Sequence, residues 1–508
     1  MDSKNDEVPG TRGDDRREVK TMSNDFILVL DFGGPQAQSM ARKLRGMSFY
    51  SEVQSCALGA QSVSRKAPKG LILAGGPSDR PFDEAILKLG IPVLALGAAA
   101  RRMARQLGAE CEGVLLTDRA AQISFHPCPL FDGLSDSDRY FERIDALKLP
   151  EGLEPVAVTA DGLTPAFADA AKGLYGLQFY PESNDPDGAR ILSNFAENVC
   201  GCAAVWSPER FIDGEIAALR ERIGDGRAVM AVSGGVDSTV CAMLMHRAIG
   251  DRLKCVFIDT GLLRKGETET VAHAFRESLG LEPLVVDASE SVLAALRGVT
   301  DPREKRRVVH DQFVRVLTEI AMAEPKAGFL VEGTIYSDLL NATEGEVPAF
   351  SELTRIEPIR ILFKDEVRFV GEALGISKEQ LSRQPFPSAG LAVRCIGEVT
   401  EEKLALLREA DAIFRAEIVE AGLDRRLTQY FAILTDTHTV GRRDGRTDYE
   451  YACALRAVQI PHGSVMSIAK LPYDLLDRVV QRIISRVPGI NHVLYDVTGS
   501  PSALTEWE

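Results

Sequence analysis

Ser233-Gly234-Gly235-Val236-Asp237-Ser238-Thr239 is the stretch whose residue types and spacing point most directly to chemistry. Two adjacent glycines let a backbone come close to an anion. The hydroxyls of Ser233, Ser238 and Thr239 add donors. Asp237 beside them suits a divalent cation that shares its coordination with phosphate oxygens. Arg227–Val232, before the loop, is apolar and β-leaning, and Val240–Ile249, after it, has apolar residues at helical spacing. Strand, glycine turn and helix is the arrangement in which exposed N–H groups and the positive helix end hold a phosphate. No Gly-Lys-Ser/Thr follows, so this is not the Walker pattern. An ordinary tight turn between strand and helix would use the same glycines.

The elements that must position this loop are legible around it. Lys254–Asp259 and Glu282–Asp287 read as further parallel strands, and Asp301-Pro302 opens a long helix. Earlier in the chain Phe26–Asp31, Gly70–Leu73 and Pro92–Leu96 read as strands, each followed by helical pattern. Such alternation implies a doubly wound α/β sheet. Past Cys395 the pattern changes to α+β: a helix over Glu401–Gly422, strands at Tyr430–Leu434 and Tyr449–Val458, a helix over Leu475–Arg486 and a strand at His492–Val497.

The S-G-G-x-D-S run resembles the pyrophosphate loop of the ATP pyrophosphatases. From Phe26 to Glu508 the chain is similar to the GMP synthetase family, through Ala74-Gly75-Gly76-Pro77-Ser78, Asp301-Pro302-Arg303-Glu304-Lys305-Arg306-Arg307, Gly333-Thr334-Ile335-Tyr336, Glu357-Pro358-Ile359-Arg360, Arg383-Gln384-Pro385-Phe386-Pro387 and Glu506-Trp507-Glu508. The resemblance implies two doubly wound α/β domains, amidotransferase-like over 26–205 and ATP pyrophosphatase over 206–394. A smaller α+β dimerisation domain follows over 395–508, and residues 1–25 form a disordered extension. It implies ATP and Mg2+, with ATP held by Ser233, Gly234, Gly235, Val236, Asp237, Ser238, Thr239, Val256, Asp259 and Gly333. Asp237, as the magnesium contact, and Lys364 are the implied catalytic residues. Arg306, Arg383 and Glu506 are the implied contacts to a purine nucleotide-like acceptor. The bland alternative for Lys305 and Arg307 is a solvated charge run.

The chain departs from that family where chemistry sits. A class I amidotransferase carries a nucleophilic cysteine on a strand-to-helix elbow, with a histidine base oriented by a glutamate. Here Gly97 stands at the cysteine position and Tyr180 at the histidine position, and only Glu182 remains. Glycine offers no nucleophile, and a phenol of pKa about 10 is a poor base at neutral pH. A relocated pair would have to come from Cys111, about four helical turns past the elbow, and His126. The family's cationic lid is also missing. Asn341–Ile356 is short and acidic, with neither lysine nor histidine, and Ser500 replaces a tail lysine that contacts the nucleotide phosphate. The module is expected to fold without hydrolysing glutamine, so ammonia must come from solution or another protein.

Composition narrows the classes further. A chain of 508 residues with 45% hydrophobic and 26% charged residues suits several globular domains. A net charge of −15 argues against a large nucleic-acid surface. The nine cysteines are dispersed and read as reduced thiols of a cytoplasmic protein. No apolar run approaches the ~20 residues of a membrane span. Three functions remain open: an ammonia-dependent ligase acting on xanthosine monophosphate or a related acceptor, an ATP pyrophosphatase with another acceptor or with a sulfur nucleophile, and a non-catalytic nucleotide-binding paralogue. The ligase, working as a homodimer, is the expectation.

Overall fold

Fully apolar runs of four or five residues, such as Ile27–Leu30 and Val93–Leu96, are buried on both faces and so form the centre of parallel sheets. In a computed structural model the described residues are 25–76, 80–181, 186–341, 353–443, 445–460, 466–500 and 505–508. The first sheet contains β1 (Ile27–Asp31), β2 (Ser51–Ser55), β3 (Gly70–Ala74), β4 (Val93–Leu96), β5 (Glu110–Phe125), β6 (Ser137–Lys148), β7 (Glu154–Thr159), β8 (Ala166–Asp169) and β9 (Leu174–Leu177). Its order is β2-β1-β3-β4-β9-β8-β7-β5-β6. The half up to β9 is parallel, as the alternation predicts. The other half is an antiparallel extension that periodicity did not foretell.

The second sheet, β12-β11-β10-β13-β14, is parallel throughout. It is built from β10 (Arg227–Ala231), β11 (Leu253–Asp259), β12 (Leu284–Asp287), β13 (Ala327–Val331) and β14 (Thr354–Ile356). Strand order reverses between β10 and β13. The carboxyl ends of those two strands carry the Ser233 loop and Glu332-Gly333, which places both at the topological switch point where such sheets bind ligands. The helix Pro302–Ala323 starts as its sequence signal requires. Asp301 accepts from the amides of Arg303 and Glu304, and proline occupies the first turn.

The third sheet pairs β15 (Gln429–Arg443) antiparallel with β16 (Arg446–Gln459); β17 (Ser467–Ile468) and β18 (Ile490–Tyr495) lie along the other edge of β16. The helix Glu401–Glu420 buries Leu404, Leu407 and Phe414 against it. A cut at 394/395 does not separate two cores. Val229 and Val256 of the second sheet share one apolar cluster with Leu391, Leu404, Leu434 and Leu455. By contacts the chain divides instead into Met1–Gly214 and Glu215–Glu508. Of the disordered extension expected over 1–25, residues 1–24 lie outside the described residues, and Asp25 makes a 2.9 Å ion pair with Lys69. Among the described residues no helix is long and apolar enough to cross a membrane.

Candidate active site

The Ser233 loop leaves β10 and turns into the helix Val236–Ile249 with Gly235 as its N-cap. Gly234 has φ +70°, and a Cβ there would meet Val271 and Arg383 at 2.5–2.6 Å, so only glycine fits. Ser238 Oγ and Thr239 Oγ1 donate to the Gly235 carbonyl at 3.0 and 2.8 Å, and Ser233 Oγ stands 3.1 Å from Ser238 Oγ. These bonds fix the turn and leave the first helical N–H groups facing outward. Asp237 Oδ2 meets Lys364 Nζ at 2.5 Å, and Lys364 is the first residue of the helix Lys364–Ala373. Asp237 Oδ1 is buried without a hydrogen-bond partner. An orphaned carboxylate oxygen at a helix N-terminus fits magnesium, which takes one or two carboxylates and fills its shell with phosphate oxygens and water. Among the described residues no group of three or more His, Cys, Asp or Glu could hold a metal unaided.

Other expected ATP contacts are engaged in building the site. Gly333 lies against the loop helix, where even an added Cβ would reach only van der Waals distance, 3.5 Å, from Ser238 N. Val256 is wholly buried, and its carbonyl accepts from Val232 N at 2.8 Å, so its side chain serves the core rather than the nucleotide. Asp259 closes its own turn, accepting from Gly261 N at 2.9 Å and Thr268 Oγ1 at 2.7 Å. Arg383, expected on the acceptor, lies on the loop instead. It donates to the Gly234 carbonyl at 2.9 Å and pairs with Glu267. Glu332, at the end of β13, pairs with Arg355, and burial raises its carboxyl above the usual range.

The other two expected acceptor residues meet at the C-terminal tail. Arg306 donates to the Glu508 carbonyl, and Glu506 receives a two-pronged hydrogen bond from Arg394 at 2.8 and 2.9 Å. Lys305 and Arg307 part company. Lys305 is fully buried, donating to Glu508 Oε2 and the Cys395 carbonyl at 2.7 Å each. Arg307 is the solvated charge of the bland reading, paired with Glu304 and Asp311 on its own helix. Arg394 and Arg456 were missed as site residues. The readable signal was a lone arginine within an apolar run, Leu391-Ala392-Val393-Arg394-Cys395 and Ala454-Leu455-Arg456-Ala457-Val458, because a buried cation demands a counter-ion.

Residues 28–199 match the model for glutamine amidotransferase class-I, 216–429 that for NAD synthase, and 416–507 that for the GMP synthase C terminal domain. The protein of Caldicellulosiruptor saccharolyticus named GMP synthase [glutamine-hydrolyzing] is 41% identical over 511 residues, covering 96% of this chain and 100% of that one. The proteins of the same name from Acetivibrio thermocellus and Geobacillus kaustophilus are 40% and 39% identical, again over 96% of this chain and the whole of theirs. The chain belongs to the GMP synthase family. Its ATP pyrophosphatase region supports ATP-dependent ligase activity.

Against that family the elbow after β4 is the odd feature. Gly97 has φ +55° and ψ −119° and caps the helix Ala98–Gln106, so the chain makes a sharp strand-to-helix turn there. A Cβ on Gly97 would lie 2.6–2.7 Å from the Tyr180 ring and hydroxyl. Tyr180 Oη donates to the Gly75 carbonyl at 2.5 Å, and the Gly76 amide donates to the Gly33 carbonyl. The phenol thus fills the space of a thiol side chain, and one amide of the glycine loop is already taken. Glu182, Pro77 and Ser78 lie outside the described residues. Cys111 is not on a continued helix: that helix ends at Gln106 and Cys111 sits on β5, its thiol 3.6 Å from Asp145. His126 follows the other end of the same 16-residue strand. At roughly 3.3 Å per residue an extended strand carries them up to about 50 Å apart, so they form no catalytic pair.

Proposed function

We propose that the protein is a GMP synthase-like ligase that adenylates an oxygen of a purine nucleotide-like acceptor and replaces it with ammonia, without glutaminase activity of its own. The observation that carries this reading is the contrast at the two glycine loops. The Ser233 loop presents a helix N-terminus, Lys364 and an unpartnered Asp237 oxygen, while the Gly97 elbow is filled by Tyr180. The acceptor oxygen attacks the α-phosphorus of ATP, the bond to the β-bridging oxygen breaks, and pyrophosphate leaves. Ammonia then attacks the acceptor carbon. The carbon–oxygen bond breaks, AMP departs with the acceptor oxygen, and the nitrogen sheds a proton to water.

In this scheme the loop amides and the Ser233, Ser238 and Thr239 hydroxyls hold the pyrophosphate portion, and Lys364 offers its remaining protons to phosphate oxygens. Asp237 would hold magnesium, which when bound neutralises charge on the departing pyrophosphate. Arg383 keeps the loop in shape through the Gly234 carbonyl. Glu506 and Arg306 face the acceptor. The domain limits 26–205, 206–394 and 395–508, the last two sharing one apolar cluster, and a cytoplasmic location belong to the same reading. So does a homodimer through the third sheet, supported by Val440 and Tyr449, which pair across β15 and β16 and stand exposed. The test supplies ATP, xanthosine monophosphate and related purine nucleotides with either ammonium at alkaline pH or glutamine. AMP and pyrophosphate formed with ammonium but not with glutamine is the expected result. Equal turnover with glutamine overturns the reading.

A further inference from the structure

Three cations, Lys305, Arg394 and Arg456, are fully buried around residues 505–508. A buried cation is tolerated only with a counter-ion. For Lys305 and Arg394 the pairing carboxylates come from the tail itself, Glu508 and Glu506. Arg456 donates to the Thr505 carbonyl at 2.9 Å and pairs with Asp496 Oδ2, which also accepts from the Trp507 indole at 2.7 Å. The tail is therefore seated by long-range ion pairs, and its position is set by groups far away in sequence.

Arg394 has the most defined geometry of the three. Its guanidinium carbon lies 3.8 Å from the Phe431 ring centroid and 5.4 Å from that of Phe386, which in turn stacks on Arg264 at 4.4 Å. The two rings fix the plane of the fork. Nε and Nη2 each take one oxygen of Glu506, and Nη1 is buried without a partner. A carboxylate held this way on one edge keeps a lone pair on each oxygen for a ligand. Such a pair of acceptors matches a ring that presents N–H donors, as a purine does.

We propose that Arg394 is a positioning residue that aims Glu506 at the ring N–H edge of the acceptor, with Lys305 anchoring the tail beyond it through Glu508. This rests on the acceptor reading above. A lysine at 394 keeps the charge and loses the planar fork. Aspartate at 506 keeps the fork and withdraws the carboxylate by one methylene.

The chain has two tryptophans, so in a Trp206→Phe background Trp507 alone reports on the tail. Arg394→Lys is expected to raise acrylamide quenching of Trp507 and to weaken binding of xanthosine, inosine and guanosine monophosphates roughly 10- to 100-fold. ATP affinity should stay within about threefold, a split that general unfolding would not give. Glu506→Asp is a milder change that does not depend on replacing a buried arginine. It should give the same loss for the purine nucleotides with Trp507 still protected. Purine binding that survives both substitutions, or ATP and purine affinities that fall together, overturns the proposal. Wild-type protein that binds none of the three nucleotides overturns the acceptor reading itself, a separate result.

Discussion

Two glycine turns in this chain start from the same design and end in opposite states. Each follows a buried parallel strand and opens a helix: Gly97 after β4 and Ser233–Gly235 after β10. At the first, the space beside the turn is filled. Tyr180 packs where a side chain on Gly97 would lie and bonds the Gly75 carbonyl, and the Gly76 amide is spent on Gly33. At the second, internal bonds from the Ser233 and Gly235 amides and the Ser238 and Thr239 hydroxyls shape the turn but leave Asp237 Oδ1 without a partner. A strand-turn-helix unit is therefore not a site by itself. What decides is whether neighbouring side chains consume its polar groups or leave them for a ligand.

The sharpest way to break this contrast is at Asp237. Asp237→Asn keeps the volume and removes the charge, and should lower ATP-dependent turnover roughly 100- to 1,000-fold while leaving thermal unfolding nearly unchanged. Turnover within threefold of wild type would remove the loop from the chemistry. At the other turn the expected effect is on stability. Gly97→Cys places a side chain against the Tyr180 ring at a positive φ and should cost about 3 kcal/mol. Adding Tyr180→Ala should recover more than half of that in a denaturant titration. Failure of the second substitution to rescue the first would show that Tyr180 is not the plug.

The two regions also differ in how pH acts on them. Glu215, buried on the helix Pro208–Ile223, is pushed up to about 7 by burial, partly offset by Arg222. Its raised value makes it a stabilising neutral group below about pH 4.5, an advantage lost as pH rises towards 7. Glu215→Gln should therefore stabilise Glu215–Glu508 at pH 8 by about 2–3 kcal/mol and have little effect at pH 4. Asp145, in the other unit, runs the opposite way. Burial pushes it up, but Arg143 and Arg101 more than offset this and leave it below the usual carboxylate value. Its contribution is present at neutral pH and lost as pH falls below about 4. Calorimetry at several pH values should show these opposite trends, and identical trends in the two units would refute the assignment.

The smallest effect is expected from placing a cysteine and a histidine at the elbow. Gly97→Cys with Tyr180→His supplies nucleophile and base, yet the Gly76 amide remains bonded to Gly33. Glutamine hydrolysis should stay below ~1 per second, the low end of ordinary enzyme turnover. Faster release of ammonia would mean that the glycine loop reopens once the phenol is gone.

Much of the architecture was readable along the chain because its causes are local. Apolar runs of strand length, Asp-Pro at a helix start and glycines beside hydroxyls carry their meaning within a few residues. The strands β1, β3, β4, β10 and β11, the helix Pro302–Ala323 and the glycine turn between β10 and the helix Val236–Ile249 all follow from them. The antiparallel half of the first sheet did not, since hairpin partners chosen across β5, β6, β7 and β8 leave no distinctive local pattern. Gly97 and Tyr180 were visible in the sequence too, but that the phenol packs against the turn was not. What only the tertiary structure decided was which polar groups are spent. Tyr180 meets Gly75 across 105 residues, Arg394 meets Glu506 across 112, and Lys305 meets Glu508 across 203. Whether a charge is solvated, as at Arg307, or buried and paired, as at Lys305 two residues before it, depends on the segment that folds over it. Burial and counter-ion are properties of that packing, and no pattern within one stretch of chain contains them.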